Sequence, residues 1–206
     1  MDDFDSIKKC WNTCLELVND RGYIVKDQYH ELGENDLRHM VANNKLDIIC
    51  HDNDASKNIY IKFLLSVKIK PSLVKEVLDE MEKKMNESSG DINESNLEII
   101  IVIRNKPNNS IFRLLKDYNN VQVMWLNQLK FNPTKHFIVP EHVKMTEEES
   151  KEIVRYYSLT SKFQLPLLLK DDPIARYYNF RVGDIIKIKQ SITCQNKNYV
   201  FYRCVR

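Results

Sequence analysis

The stretches Val139-Pro140-Glu141-His142-Val143, Met145-Thr146-Glu147-Glu148-Glu149, Gln164-Leu165-Pro166, Asp172-Pro173-Ile174-Ala175-Arg176-Tyr177-Tyr178, Val182-Gly183-Asp184-Ile185-Ile186-Lys187-Ile188 and Tyr199-Val200-Phe201-Tyr202-Arg203 set the architecture of the last third of this chain. Thr146 followed by Glu149 is a capping box. Its hydroxyl accepts from an orphan helix N–H and its carboxylate reaches back to the cap, while three glutamates suit the positive end of the dipole. A helix is therefore predicted from Glu147, with Ile153, Val154, Tyr157 and Leu159 on one face and an exit over 158–162. Asp172 before Pro173 is a second cap, with proline at the first helical position where its missing N–H costs nothing, and predicts a short helix through Tyr178. Residues 184–188 and 199–205 alternate polar and apolar side chains, as strands with one wet face do, and the polar segment 190–198 reads as their hairpin connection. Together these elements make a small α+β domain.

Upstream of them, residues 1–134 read as a separate α/β module. Asp5 is placed to cap a helix over 6–20 that Gly22 ends, and Asn35 to cap a shorter one over 36–43. Residues 46–51 and 59–65, separated by the polar segment 52–58, suit a strand hairpin. Pro71 opens an amphipathic helix to about Met85, with Leu73, Val74, Val77, Leu78, Met81 and Met85 at helical spacing, and 87–96 reads as a loop. Residues 97–103 are apolar enough for a buried central strand, 111–118 are helical and 121–126 form a further strand. Such alternation implies partly parallel pairing with helices packed on the sheet. Asn132-Pro133 marks the boundary, giving modules 1–134 and 135–206.

Length and composition set the limits. The chain has 206 residues and 43% hydrophobic content, enough for two small cores. The longest near-continuous apolar run, 97–103, falls far short of the roughly 20 residues that cross a bilayer, so no membrane partner is expected. Met-Asp-Asp-Phe-Asp at the start has no basic end followed by an apolar stretch, so a soluble intracellular protein is expected. Cys10, Cys14, Cys50, Cys194 and Cys204 contain no Cys-x-x-Cys pair and are odd in number, which indicates neither a zinc ribbon nor a disulfide framework. Cys10 and Cys14 share a helix face with Ile7, Trp11 and Val18 and read as core.

The ordered motifs of the last third closely resemble the assembly domain of the fifth-largest subunit of eukaryotic nuclear RNA polymerases, a domain that in archaea makes up a whole polymerase subunit by itself. The resemblance extends more thinly into the first module, where Asp20-Arg21-Gly22-Tyr23 is similar to the end of the first helix in the eukaryotic jaw domain. It implies a jaw module with a restriction-endonuclease-like sheet and helices, followed by the α+β assembly domain. It further implies a non-catalytic, cofactor-free subunit of a DNA-dependent RNA polymerase, docked on the largest subunit and forming the lower jaw near downstream duplex DNA. Partner-facing residues are then drawn from the matched motifs: Pro140, His142, Gln164, Pro166, Asp172, Pro173, Arg176, Tyr177, Gly183, Tyr202 and Arg203. Of these, Arg176 and Arg203 can make bidentate carboxylate pairs with a partner or brace the domain internally.

The chain departs from the relatives at 190–198, which lacks the proline and glycine of their connection and reads as one residue longer. Its abundance of Asn and Lys, as A+T-rich coding produces, is compatible with a polymerase encoded by a large DNA virus. A cellular subunit would work in the nucleus, a viral one in host cytoplasm and virion.

Catalysis is tested by residue types. A restriction-type nuclease needs an acid at a strand start and an acid-x-Lys pair on the next strand, because two carboxylates hold the metal while the lysine assists the attacking water. Asp47 and Lys62 are suitably placed, but Tyr60 stands where the second acid belongs, and Lys68-Ile69-Lys70 offers none. No glycine-rich phosphate loop and no local Ser-His-Asp or Cys-His signature is visible, and the histidines are scattered singly, so no metal site is expected. The alternatives are a divergent nuclease-fold enzyme and a stand-alone paralogue that binds transcription machinery.

Residues 1–134 hold 18 Lys and Arg against 21 Asp and Glu, net −3, and 135–206 hold 13 against 8, net +5. Neither has the strongly basic footprint of a free-standing nucleic-acid binder. DNA contact is therefore expected to be weak and local, with Lys68, Lys70 and Lys106 as the DNA-proximal candidates.

Overall fold

The structure, a computed structural model, describes residues 2–54, 56–65, 71–89, 97–115, 118, 120–192 and 197–206. The chain divides into two compact units, Met1–Phe131 and Asn132–Arg206. In chain order unit 1 comprises α1 (Asp2–Asp20), β1 (Tyr23–Ile24), α2 (Asp27–His30), α3 (Glu34–Ala42), β2 (Asp47–Asp52), β3 (Asn58–Leu64), α4 (Pro71–Ser89), β4 (Leu97–Ile103), α5 (Asn109–Leu114), β5 (Val121–Trp125) and α6 (Leu126–Leu129). Unit 2 comprises β6 (Glu141–Lys144), α7 (Glu147–Tyr156), β7 (Leu167–Leu168), α8 (Pro173–Tyr177), β8 (Ile185–Ile192) and β9 (Lys197–Val205), with 3₁₀ turns at Pro133–Lys135 and Lys162–Gln164.

Unit 1 is a five-stranded sheet in sequential order, β1 to β5. The β1–β2 and β2–β3 pairs are antiparallel and the β3–β4 and β4–β5 pairs parallel. Parallel strands carry helices on both faces and so read as continuous apolar runs. Tyr60, Ile99, Ile101 and Ile103 pack with Val74, Val77, Leu78 and Met81 of α4. On the opposite face Trp11 of α1 meets Phe63 with ring centroids 5.9 Å apart, and the Cys10 thiol donates to the Leu126 carbonyl at 3.2 Å.

Glu98 is the one charged side chain in β4. It is answered by the turn that follows α1, where Arg21 ion-pairs with it, Arg21 Nη2 donates to Gln122 at 3.0 Å and the Tyr23 hydroxyl donates to Glu98 at 3.1 Å. Gly22 takes φ +88° to make this turn, a region L-residues rarely enter. The Asp-Arg-Gly-Tyr sequence therefore clamps α1 to β4.

Unit 2 is a four-stranded mixed sheet in the order β6-β8-β9-β7, with β7 parallel to β9. Ile174, Ala175 and Phe180 cover one face with Ile186, Ile188 and Val205; Ile153, Val154 and Leu159 cover the other with Ile185 and Cys204. The capping box is formed, with Glu149 N–H donating to Thr146 Oγ1 at 3.2 Å and Thr146 N–H to the Glu149 carboxylate at 2.8 Å. Asp172 accepts from Ile174 N–H at 2.8 Å. Asn132 belongs to this unit: its amide donates to the Tyr177 hydroxyl at 2.9 Å and its carbonyl accepts from Thr134.

Several local expectations are corrected. Helix α1 begins at Asp2, so Asp5 lies inside it rather than at its cap, and α3 starts after Gly33 without a side-chain cap, so Asn35 caps nothing. Helix α4 runs on through Ser89 into the expected loop, and α5 stops at Leu114. The ladder of the terminal hairpin continues to Ile192 and Lys197, so part of the expected connection is strand. The rest of that connection, 193–196, lies outside the described residues, as does 90–96.

Breaking the clamp should show its weight. The Arg21 side chain is 4% exposed and that of Glu98 16%, and removing one partner of a buried pair costs about 3–5 kcal/mol. Arg21→Ala should lower stability by about that much in chemical denaturation. Arg21→Lys should recover little, because an ammonium cannot fork between Glu98 and Gln122.

Candidate functional site

Hairpin register brings Asp47 directly opposite Lys62. Lys62 Nζ lies 3.7 Å from Asp47 Oδ2 and 3.9 Å from Glu80 Oε1 on α4. The Tyr60 hydroxyl donates to the same Asp47 oxygen at 2.8 Å. Burial, together with the Asp47 charge, drives the Tyr60 phenol well above its usual range, so it stays protonated and remains a donor. A metal ion here would meet Asp47 with Oδ2 engaged by a phenol and an ammonium and Oδ1 buried without a hydrogen-bond partner, and Glu80 beside the same ammonium. Among the described residues no group of three or more His, Cys, Asp or Glu could hold a metal. Glu80, which the sequence reading missed, comes to the site from a helix remote in sequence, and no local pattern announces it.

Lys106 is exposed after β4, with Nζ 5.8 Å from the centre of the Trp125 ring. Lys68 and Lys70 lie outside the described residues.

Most of the motif residues of unit 2 have structural employment. Gln164 accepts from Thr160 N–H at 2.8 Å and closes a capping box with Ser161. Pro166 is exposed, and its carbonyl accepts from Cys204 N–H at 2.9 Å. Asp172 and Pro173 start α8. Tyr177 is 2% exposed and is a packing residue, not a surface one. Gly183 is also buried: its φ is +90°, and an added Cβ would meet Lys162 Nζ at 2.7 Å. Arg176 pairs with Asp171 at 3.4 Å, and Arg203 donates to the Leu167 carbonyl at 2.7 Å. His142, in β6, donates from Nδ1 to the carbonyl of Pro140 just before the strand at 2.7 Å, with both residues half-buried. Tyr202 forms an edge contact with Tyr157, centroids 6.2 Å apart, in a cleft also lined by Ile153, Tyr156 and Val200.

Surface missing from the sequence reading is apolar. Phe137 is 90% exposed, Tyr156 79%, Ile138 66%, Leu169 59% and Val182 58%. These residues sit at turns and element ends, where no periodicity separates an interface side chain from a core one.

Comparison with known proteins matches residues 131–205 to the C-terminal domain of RNA polymerase Rpb5 and residues 6–81 to the Rpb5 N-terminal domain. The chain is 30% identical over 205 residues to the DNA-directed RNA polymerases I, II, and III subunit RPABC1 of Caenorhabditis briggsae, covering 94% of this chain and 92% of the relative. It is 27% identical over 212 residues to the Dictyostelium discoideum subunit rpabc1, covering all of both chains. To DNA-directed RNA polymerase V subunit 5A of Arabidopsis thaliana it is 26% identical over 200 residues, or 93% of this chain and 84% of the relative. The two α/β units are thus those of a DNA-directed RNA polymerase subunit. The chain belongs to the Rpb5 family.

The closed state of the Asp47 cluster has a measurable consequence. Tyr60→Phe removes one donor from a mostly buried carboxylate and should cost about 1–3 kcal/mol of stability. The unaltered chain should not cut duplex DNA with Mg²⁺ or Mn²⁺ in a gel assay. Cleavage that disappears in Asp47→Ala and Lys62→Ala would contradict this.

Proposed function

We propose that this chain is a non-catalytic subunit of a multisubunit DNA-dependent RNA polymerase, with unit 2 docking on the largest subunit and unit 1 forming the lower jaw beside incoming downstream DNA. The observation that supports the docking role is the apolar side chains unit 2 leaves in water. Phe137, Ile138, Tyr156, Leu169 and Val182 are each more than half exposed in a unit of 75 residues, and where such side chains join into one patch they mark protein contact.

The jaw role rests on unit 1. Its antiparallel hairpin feeding parallel strands, with Asp47 opposite Lys62, supports a restriction-endonuclease-like ancestry. The Tyr60 hydroxyl on Asp47 argues against surviving nuclease chemistry. A net charge of −3 over 1–134 is unsuited to holding DNA alone, because affinity from phosphate contacts falls steeply with salt. Lys106, and Lys68 and Lys70, are then DNA-proximal within the assembled enzyme. In a cell such a subunit works in the nucleus; a viral polymerase would place it in host cytoplasm and virion.

The tagged chain should co-purify with a polymerase in one-to-one ratio with its largest subunit, read by quantitative mass spectrometry. Recovery alone, or with partners unrelated to polymerase, would contradict the reading and favour a stand-alone paralogue.

A further inference from the structure

Charge in unit 2 is segregated. Residues 132–206 carry eight carboxylates, four of them on α7. Glu141 pairs with Lys189, Asp184 with Lys144 and Asp171 with Arg176, while Asp172 caps α8. Among the described residues no ion pair reaches Lys162 or Arg206.

These two cations meet over one ring. Lys162 Nζ lies 5.9 Å and Arg206 Cζ 5.5 Å from the centre of Phe163. Burial pushes the Cys204 thiol up; the charges of Lys162 and Arg206 oppose this, and that of Asp184, which pairs with Lys144, adds to it. Gly183 leaves the lane in which the Lys162 side chain lies, since a Cβ there would meet its ammonium. Leu167 is paired with Cys204 at the edge of the sheet and so lies on the same face, and Leu169 follows just past the end of β7. Phe163, Leu167 and Leu169 are 41%, 42% and 59% exposed. The result is an apolar strip bordered by two cations that, among the described residues, no carboxylate joins in an ion pair.

Resting on the reading of unit 2 as a docking unit, we infer that this face receives an acidic segment of a partner polymerase subunit, its carboxylates on Lys162 and Arg206 and its apolar side chains over Phe163, Leu167 and Leu169. Charge complementarity selects the occupant. Aliphatic side chains would gain nothing from a phosphate backbone, and two cations are far fewer than the several phosphate contacts on which nucleic-acid affinity rests. A carboxylate accepts bidentately from Arg206. Attraction between exposed charges is screened within a Debye length of about 8 Å at physiological salt, so binding should weaken as salt rises.

The test uses the full-length tagged chain co-expressed with the largest polymerase subunit and captured across a salt series. The double variant Lys162→Glu/Arg206→Glu should retain at least tenfold less partner, while Lys151→Glu on α7 should match the unaltered chain. Lys162→Met/Arg206→Met, which keeps the stems and should preserve the circular dichroism spectrum, should lose the salt dependence. Among peptides tiling the largest subunit, acidic ones should bind the unaltered chain and not the Met variant. Met-variant retention and salt dependence equal to the unaltered chain would overturn the inference while leaving the polymerase reading intact. Loss of binding to a duplex DNA probe with partner retention unchanged would overturn it in favour of nucleic acid. Failure of the unaltered chain to capture any polymerase subunit would remove the reading on which it rests.

Discussion

A strand covered on both faces tolerates a charge only where the fold supplies its partner, and Glu98 in β4 is that charge. Arg21 and Tyr23 answer it from the turn after α1, so the pair ties the first helix to an inner strand of the five-stranded sheet. A buried pair of this kind contributes little net stability relative to apolar replacements, but leaving one member alone is costly. Its effect is to fix where α1 ends and therefore which face of the sheet α1 covers. With α1 on one face and α4 on the other, the Asp47–Lys62 hairpin is held in one register.

That register also decides what Asp47 meets. Tyr60 lies two residues from Lys62 and points to the same face, so its hydroxyl reaches the carboxylate that a metal would need. The side chain serves the core as well, packing with Ile99, Val77 and Met81. An acid in its place would lose that packing and set a third carboxylate beside Asp47 and Glu80.

Local devices were legible in the sequence. The Thr146–Glu149 box, the Asp172-Pro173 start and the near-continuous apolar run of β4 each depend on neighbours within a few residues, and each appears where it was expected. Features that depend on distant partners were not. Asp5 and Asn35 have the chemistry of caps, yet α1 extends past one and α3 starts ahead of the other. The partner of Glu98 lies 77 positions away and Glu80 reaches Lys62, beside Asp47, from another helix. Motif order pointed to Gln164, Asp172, Tyr177 and Gly183, which the fold uses for caps, packing and a positive-φ turn. Lys162, Phe163, Leu167, Leu169 and Arg206 escaped notice because nothing in their spacing says that β7 is an edge strand.

The proposed docking by unit 2 and jaw role for unit 1 would divide the labour of the chain, and binding by separate fragments decides whether they do. Residues 132–206 keep Asn132 with its Tyr177 partner, and should fold alone and retain nearly the full affinity of the chain for the largest polymerase subunit. Residues 1–131 should show little. If the affinity instead resides in 1–131, unit 2 is not the docking unit.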